Sequence, residues 1–455
     1  MHWDALTDLQ RQNLAEQIDG IDFVQLATLY KNRDHLVDVA AMAAHAKEPP
    51  AYLLGGDANT IPRNDAVQAG RDALAAGKVA ALVVAGGQGT RLGFDHPKGM
   101  YPIGPVGDTT LFQIFVEKIL ARSGQYDKPI PLCIMTSPAT HDETVAFFAQ
   151  HDRFGLAESE LHIFCQGTMP AVSIADGKVL LAAPDQIAMS PDGHGGMLAA
   201  FHSSGGLDWL RSRGIEMLFY FQVDNPLVDI ANEEFLGYHI LSRSELTSQV
   251  VRKQMPHEKV GNIVSIDGRL HVIEYSDLPD EFANRRKSDG TLEIWAGSIA
   301  VHVMGLDFLR LQESEVRSPK FEAVSSLPFH VANKKVPYID ANGSLIQPQQ
   351  PNAIKFERFI FDLLPAADNA IVVEVDPRYH FAPLKNASGS STDSPESVRE
   401  QLSAIYTEWL TQAGVRVAPG VKIEISPLLA NSPEMLTERV NQGLVSRVIE
   451  NDLQL

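Results

Sequence analysis

The chain has little of several features that mark specialised classes of protein. Its 455 residues include two cysteines, Cys133 and Cys165, so the sequence offers no disulfide framework. Its apolar runs, such as AALVVAG and MLFYF, are much shorter than the roughly 20 residues that a bilayer-spanning helix needs. The first residues, MHWDALTDLQ, are polar and do not resemble a secretory signal. We therefore expect a protein of the reducing cytoplasm with no membrane partner.

Basic side chains are also scarce relative to acidic ones. The chain has 38 Lys and Arg against 57 Asp and Glu, a net charge of -19. A protein whose main task is to bind nucleic acid needs a basic surface, so we expect no nucleic acid partner. Any phosphate ligand has to be held by a local motif.

The residue order predicts an α/β fold with three parts. Residues 1–77 predict an N-terminal helical region, and residues 366–455 a small C-terminal α+β domain. Between them, residues 78–365 alternate strands and helices, which indicates a mostly parallel, Rossmann-like sheet with helices on both faces. Shorter strands within about 247–303 predict an antiparallel insertion. Residues 353–366 predict a helix.

The most informative segment is LVVAGGQGTRLGFDHPKGMYP, residues 82–102. A buried strand runs into Gly86, Gly87 and Gly89, and then come Arg91 and Lys98. Glycines let backbone N–H groups approach a polyphosphate, while an arginine fork and a lysine charge bind its oxygens. A tight turn with two solvated cations is the ordinary alternative, but the complete order favours a phosphate-binding loop.

Two other phosphate-binding motifs do not fit this segment. The third glycine after Gly87 and Gly89 is Gly93, one residue later than the dinucleotide fingerprint requires. No acidic residue ends a second strand about 20 residues further on, and no Gly-Lys-Ser/Thr follows as in a P-loop. A nicotinamide-dependent dehydrogenase is therefore a weak alternative.

The same segment resembles the nucleotide loop of the UDP-sugar pyrophosphorylases, and most closely the eukaryotic-type UDP-N-acetylglucosamine pyrophosphorylase family. The likeness extends over nearly the whole chain in ordered blocks: FCQGTMPAVS (164–173), SPDGHGGMLAA (190–200), VDNPLV (223–228), VIEYSD (272–277), KKVPYID (334–340), PNAIKFERFIFD (351–362), FAPLKNASG (381–389) and EISPLL (424–429). The resemblance implies a uridylyltransferase with a nucleotidyltransferase fold.

On the nucleotide side, the resemblance implies that Gln166 and Gly193 read the uracil base. A carboxamide has the donor and acceptor that the imide edge of uracil requires. His194 lies in the same glycine-rich loop, where the family usually has Asn. Asp224 ends the strand MLFYFQVDN and is implied to hold Mg²⁺, or Mn²⁺, against the phosphates. Read alone, each residue could equally cap a strand or a turn.

On the sugar side, Gly261 and Glu274 match positions that face the sugar. Ser298 stands where the family usually has a sugar-contacting Asn, so that contact is weaker or bridged by water. Phe359 and Phe361 match a pair that lines the pocket for an N-acetyl group, although phenylalanines at this spacing are more often core. The resemblance therefore favours an N-acetylated sugar, while His194 and Ser298 depart from the family pattern.

The implied reaction is in-line attack by a sugar 1-phosphate oxygen on the α-phosphorus of UTP, which releases pyrophosphate. Arg91 and Lys98 are expected to stabilise the triphosphate, and Asp224 to hold the metal. Lys355 and Lys385 match lysines that reach the phosphates; we group Lys355 with the sugar pocket and Lys385 with catalysis.

Two further alternatives remain open from the sequence. The enzyme could be a UDP-glucose or broad-specificity UDP-sugar pyrophosphorylase, because a Gly-His-Gly loop like that at His194 occurs in UDP-glucose pyrophosphorylases. It could also be a non-catalytic UDP-sugar-binding relative, although an intact glycine loop, Lys98 and Asp224 argue against it.

Overall fold

The computed structural model describes residues 2–33, 39–316 and 327–455, so positions 34–38 of the predicted N-terminal helical region lie outside the described residues. The helices are α1 (Asp8–Asp19), α2 (Phe23–Lys31), α3 (Val39–His45), α4 (Arg63–Ala75), α5 (Leu111–Tyr126), α6 (His141–Gln150), α7 (Met197–Ser203), α8 (Gly206–Ser212), α9 (Glu233–Leu241), α10 (Asp280–Ala283), α11 (Leu306–Val316), α12 (Pro377–His380), α13 (Pro395–Gln412) and α14 (Pro433–Asn441).

The strands follow the same chain order. They are β1 (Ala51–Leu53), β2 (Val79–Val84), β3 (Leu132–Thr136), β4 (Leu161–Cys165), β5 (Thr168–Pro170), β6 (Val172–Ser173), β7 (Leu181–Ala183), β8 (Gln186–Ile187), β9 (Met189–Pro191), β10 (Met217–Gln222), β11 (Leu246–Arg252), β12 (Gly261–Ile266), β13 (Arg269–Ile273), β14 (Ala296–Gly305), β15 (Phe329–Lys334), β16 (Tyr338–Ile339), β17 (Leu345–Ile346), β18 (Ala353–Arg358), β19 (Ala370–Val375), β20 (Arg416–Val417), β21 (Ile423–Glu424), β22 (Val448–Ile449) and β23 (Leu453–Gln454).

A 10-stranded sheet forms the centre of the protein, in the order β1-β19-β11-β14-β10-β2-β3-β4, with the hairpin β12–β13 attached to β14. Along this order the strands are parallel except β14, which runs antiparallel to both β10 and β11. The predicted mostly parallel α/β fold is confirmed. Because the strands are parallel, β2, β3, β4 and β10 all end at one edge of the sheet, where ligands bind in folds of this kind.

The sequence of β2 shows why this sheet is buried on both faces. Val79, Ala81 and Val83 pack into the core on one face, while Ala80 and Leu82 pack into the core on the other. Successive side chains of a strand point to opposite faces, so a continuous apolar run is what a doubly covered strand requires. Helices α4, α5 and α9 cover the first face, and α7, α8 and α11 lie over the second.

The C-terminal residues form a smaller unit around α13 and α14. Ser394 caps α13, where its side chain accepts a hydrogen bond from the Ser397 N–H and Pro395 occupies the first turn. Leu410, Ile423 and Leu436 belong to the small core beneath the two short parallel pairs β20–β22 and β21–β23. Within the described ranges, no helix is both long and apolar enough to cross a membrane.

The sheet includes strands from all three predicted parts of the chain. Strand β1 lies in the predicted N-terminal region and β19 in the predicted C-terminal domain, yet these two strands pair in parallel at one edge of the central sheet. Strands β11 and β14, from the predicted antiparallel insertion, are interior strands of the same sheet. The division into three parts stays a prediction, but its boundaries at residues 77 and 365 separate strands that the structure pairs.

The predicted helix over residues 353–366 is wrong. Residues Ala353–Arg358 form β18, which pairs with β15 and β6, and a 3₁₀ turn, Ile360–Ala366, follows. Ile354 and Phe356 are buried while Lys355 and Glu357 are half-buried, so the segment has the alternation of a strand. Its short length and charged residues hid that period.

Candidate active site

The loop after β2 folds back on itself. The Gly89 N–H donates to the His96 carbonyl at 2.9 Å, and the Lys98 N–H donates to the Gly87 carbonyl at 3.0 Å. A Cβ at Gly89 would lie 2.7 Å from the Phe94 carbonyl oxygen, so only glycine allows this closure. The loop therefore returns Lys98 to the carboxyl end of β2, as a phosphate-binding loop requires.

Four charged side chains of the predicted site gather beside this loop. Burial lowers the pKa of Lys98, the Asp224 carboxylate opposes that shift, and the charges of Lys385 and Arg91 lower it further. The Lys98 Nζ donates to the Leu384 carbonyl at 3.3 Å. Lys98 thus lies within electrostatic range of two further cations and one carboxylate, and this excess of positive charge favours a polyanionic ligand.

The segment that carries Lys385 is fixed to the end of β10. The buried Asn225 side chain donates to the His380 carbonyl at 2.8 Å and accepts from the Ala382 N–H at 3.0 Å. The Leu384 N–H donates to the Asp224 carbonyl at 2.8 Å. The VDN sequence therefore both places a carboxylate at the strand end and binds the chain that brings the second lysine.

Two hydrogen bonds join the ends of β2, β3 and β4. The Gln166 N–H donates to the Thr136 carbonyl at 2.9 Å, and the Ser137 hydroxyl donates to the Gly86 carbonyl at 2.7 Å. A Cβ at Gly86 would lie 3.3 Å from Gln166 Oε1. The predicted base-reading carboxamide thus lies beside the first glycine of the loop. We call these residues, with loop 86–98, Asp224 and Lys385, the phosphate side.

The second glycine-rich loop packs against β18. Gly193 has a φ of 86°, and a Cβ there would clash with the Arg358 carbonyl oxygen, so glycine is required. The Asp192 carboxylate is buried and pairs with Arg358 at 3.3 Å. The loop is therefore fixed to the end of the strand that directly precedes the predicted phenylalanines.

His194, next in this loop, is a neutral side chain. Its Nδ1 accepts a hydrogen bond from the Ile360 N–H at 3.2 Å. Its ring stacks on Phe359, with centroids 5.3 Å apart, and lies 5.6 Å from Phe361. Burial, with a further contribution from His330, lowers the pKa of His194 to about 4. The predicted phenylalanines and His194 thus form one aromatic wall.

A carboxylate lies on the other part of the sugar pocket. A Cβ at Gly261 would lie 3.1 Å from Glu274 Oε1, and Gly261 pairs with Ser298 across β12 and β14. Burial raises the pKa of Glu274, Asp277 acts in the same direction, and Lys385 opposes them. Glu274 therefore lies close enough to Lys385 to feel its charge. We call Gly261, Glu274, Ser298, Phe359 and Phe361 the sugar side, together with Gly193 and His194, which the resemblance assigns to the nucleotide and the structure packs against Arg358 and Phe359.

Two predicted residues are less well defined by their contacts. Lys355 is half-buried on β18, where it pairs with Ala332 of β15. Gly87 is exposed, and a Cβ there would meet nothing within 4 Å, so its role in the loop is carried by its carbonyl. The functional roles of all the site residues stay predictions.

The phosphate side can accept a divalent cation if a ligand supplies most of the oxygens. Among the residues that the structure describes, no three His, Cys, Asp or Glu side chains could hold a metal by themselves. Burial raises the pKa of Asp393, Lys385 opposes this, and Asp224 adds to it, so the two carboxylates lie near each other. One or two carboxylates with phosphate oxygens and water are the usual ligands of Mg²⁺, and the residues fit that pattern.

The sequence profile of one protein family, described as UTP–glucose-1-phosphate uridylyltransferase, matches residues 26–398. The chain belongs to this family. The match spans the central sheet and nearly all of the site described above.

Individual relatives extend the similarity to both ends of the chain. A UDP-N-acetylglucosamine pyrophosphorylase of Saccharomyces cerevisiae is 36% identical over 457 residues, covering 96% of this chain and 93% of the relative. A UDP-N-acetylhexosamine pyrophosphorylase-like protein 1 of mouse is 38% identical over 79% of this chain and 74% of its own. The crystal structure of a uridine diphosphate N-acetylglucosamine pyrophosphorylase from Trypanosoma brucei, in complex with an inhibitor, superposes with a TM-score of 0.82 at 25% identity over 98% and 94% of the two chains.

Several residues of this family member's site were missed from the sequence. His330 and Asp362 form a contact within the sugar side, Asp393 lies beside Lys385, and Asn225 fixes the Lys385 segment. Asp362 and Asn225 stand inside the quoted blocks and could have been singled out there. His330 and Asp393 carry no local signal, because only the tertiary structure brings them to the site.

Proposed function

We propose that the chain is a uridylyltransferase that converts UTP and N-acetylglucosamine 1-phosphate into UDP-N-acetylglucosamine and pyrophosphate. The observation that carries the proposal is that Arg91, Lys385 and Asp224 all lie within electrostatic range of Lys98, beside a glycine loop at the edge of a parallel sheet. The names of the yeast and Trypanosoma brucei relatives support the sugar. The unpaired cysteines Cys133 and Cys165 support a cytoplasmic location.

The reaction needs no nucleophilic side chain, because the attacking oxygen of a sugar 1-phosphate is already an anion. Catalysis then consists of bringing two anions together and stabilising the charge that moves to the leaving pyrophosphate. Lys98 and Arg91 bind the triphosphate from the glycine loop. Lys385, on the phosphate side, is within electrostatic range of both Lys98 and Glu274. It is therefore placed to hold the phosphate of the incoming sugar.

Asp224, with Asp393 beside it, would hold Mg²⁺ or Mn²⁺. When bound, such an ion neutralises charge on phosphate oxygens. The chain's own residues supply the rest: the backbone of the loop from Gly86 orients the triphosphate, and Gln166 faces the base. Lys98 is half-buried, and this strengthens its attraction to phosphate, because water screens a partly buried charge less.

A UDP-glucose pyrophosphorylase is the second candidate. The family profile is described by glucose 1-phosphate, and His194 stands where the N-acetylglucosamine enzymes usually have Asn. Against it, the Phe359 and Phe361 wall offers more apolar surface than a hydroxyl at the sugar's second carbon would use.

Pyrophosphate release from UTP, measured with N-acetylglucosamine, N-acetylgalactosamine and glucose 1-phosphates, tests the proposal. We expect the highest kcat/KM with N-acetylglucosamine 1-phosphate and a requirement for added Mg²⁺. A preference for glucose 1-phosphate would reject the sugar assignment and leave the reaction class standing. Binding of UDP-sugars without turnover of any substrate would instead identify a non-catalytic relative.

A further inference from the structure

Phe359 of the sugar side contacts an imidazole on each of two separate segments. The His194 ring, from the glycine-rich loop, is 5.3 Å away with an interplanar angle of 26°, and the His330 ring, from β15, is 4.4 Å away at 33°. Phe361 lies 5.0 Å from Phe359. A purely hydrophobic wall does not require two imidazoles beside one phenylalanine ring. Their nitrogen atoms are therefore candidates for hydrogen bonds to a ligand.

His194 offers a hydrogen-bond donor. Its Nδ1 is occupied because it accepts from the Ile360 N–H, a group that can only donate. The ring is neutral at pH 7, so its remaining proton is on Nε2. The atom of His194 left for a ligand is therefore an N–H.

His330 offers the opposite. Its Nε2 lies 2.8 Å from Asp362 Oδ2, and we assign the N–H of this contact to Nε2, which donates to the carboxylate oxygen. That tautomer leaves the other nitrogen, Nδ1, as a hydrogen-bond acceptor. The His330 side chain is 38% exposed and Asp362 is 17% exposed, so the carboxylate fixes the ring while one edge of it stays open.

The two open atoms complement a secondary amide. An acetamido group has one carbonyl acceptor, one N–H donor and a methyl group, and the sugar side has one donor, one acceptor and two phenylalanine rings. His330 and Asp362 also lie near the carboxylate that is predicted to face the sugar. His330 lowers the pKa of Glu274, and Asp362 raises it. A hydroxyl in place of the acetamido group has no methyl to bury, and its donor and acceptor are on one oxygen atom instead of on two separate groups.

We infer that His330 is a specificity-determining residue for the acetamido group of the sugar: its Nδ1 accepts from the amide N–H, His194 donates to the amide carbonyl, and Asp362 acts as a positioning residue that holds the His330 ring. The inference rests on the proposed function and names the residues that would select its substrate.

His330→Phe tests the acceptor, because it keeps an aromatic ring against Phe359 and removes both nitrogens. We expect kcat/KM for N-acetylglucosamine 1-phosphate to fall about tenfold to thirtyfold, as for one lost hydrogen bond, and that for glucose 1-phosphate to change by less than about threefold. His330→Asn, whose amide oxygen can stand near the Nδ1 position, should retain more of the preference than His330→Phe. Asp362→Asn should lower the preference by several-fold.

Asn333→Ala, an exposed position on the same strand, is the matched control and should leave both values unchanged. Calorimetric titration with UDP-N-acetylglucosamine and UDP-glucose gives a second readout of the same preference without turnover. Thermal unfolding of each variant separates a folding defect from a local effect.

Equal loss with both sugars, an unchanged preference in His330→Phe, or identical effects of His330→Phe and His330→Asn would overturn the inference while the wild type still prefers the N-acetylated substrate. A wild type without that preference would overturn the proposed sugar as well, so the two failures can be told apart.

Discussion

The phosphate side and the sugar side of the site consist of different kinds of chemical group. The phosphate side consists of backbone groups and permanent charges at the ends of β2, β4 and β10, which a parallel sheet brings together by topology alone. The sugar side consists of aromatic rings and partly buried ionisable groups from β15, from the segments that follow β13 and β18, and from the loop at Gly193, with Gly261 and Ser298 on β12 and β14. The first arrangement suits any nucleotide sugar, whereas the second can distinguish one sugar from another.

This difference predicts where substitutions act. Changes on the phosphate side should lower activity with every sugar 1-phosphate alike, and changes on the sugar side should alter the ratio between sugars. The largest effect is expected at Lys98, a smaller one at Phe359, and the smallest at His194.

The largest expected effect is that of Lys98→Ala. Loss of one well-placed charge contact at the reacting phosphates is worth roughly 3 kcal/mol, so kcat/KM should fall about a hundredfold with N-acetylglucosamine and glucose 1-phosphates alike. Lys78→Ala is the control, because Lys78 precedes β2 at its other end and makes a surface ion pair with Glu216 at 2.8 Å. A near-normal kcat/KM in Lys98→Ala would remove Lys98 from the mechanism.

Phe359→Leu should have a smaller and sugar-dependent effect. The variant loses the ring contacts to His194 and His330, each worth about 1 kcal/mol for an aromatic pair. We expect kcat/KM for N-acetylglucosamine 1-phosphate to fall about tenfold, and the value for glucose 1-phosphate to fall less. Phe23→Leu, on the exposed face of α2, is the control. A loss that is equal for both sugars would contradict the division between the two sides.

The smallest expected effect is a pH dependence of stability at His194. Its pKa is about 4 in the folded chain against about 6.5 when unfolded, so between these values the unfolded chain binds the extra proton. Lowering the pH from 7 to 5.5 should therefore reduce the free energy of unfolding by about 1 kcal/mol through this group. His194→Asn lacks this pH-dependent contribution to the free energy of unfolding. Urea unfolding of both proteins at pH 7 and 5.5 measures the contribution. Identical pH dependence in both proteins would show that His194 is not held neutral.

The phosphate side could be predicted from the sequence because its residues lie in short continuous motifs. Gly86, Gly89, Arg91 and Lys98 fall within one loop, and Asp224 directly follows a strand, so spacing and strand position were sufficient. The loop closure at Gly89 follows the same local logic. Only the approach of Lys385 needed the structure, since it depends on the contacts of Asn225 with a segment far along the chain.

The sugar side resisted prediction for the opposite reason. The prediction of a helix over β18 fails because a strand of six residues, three of them charged, is too short to reveal its period. The contact between His330 and Asp362 joins residues of different segments, and no sequence pattern in either segment predicts it. The pairing of β1 with β19 is likewise a contact between distant parts of the chain, and no local pattern in either segment predicts it.

A crystal structure of the protein with UTP and Mg²⁺ tests the central claim most directly. We predict that the triphosphate lies along the loop of residues 86–93, with the side chains of Arg91 and Lys98 within hydrogen-bond distance of its oxygens. A triphosphate bound elsewhere, or these two side chains directed into bulk solvent in the complex, would contradict the account.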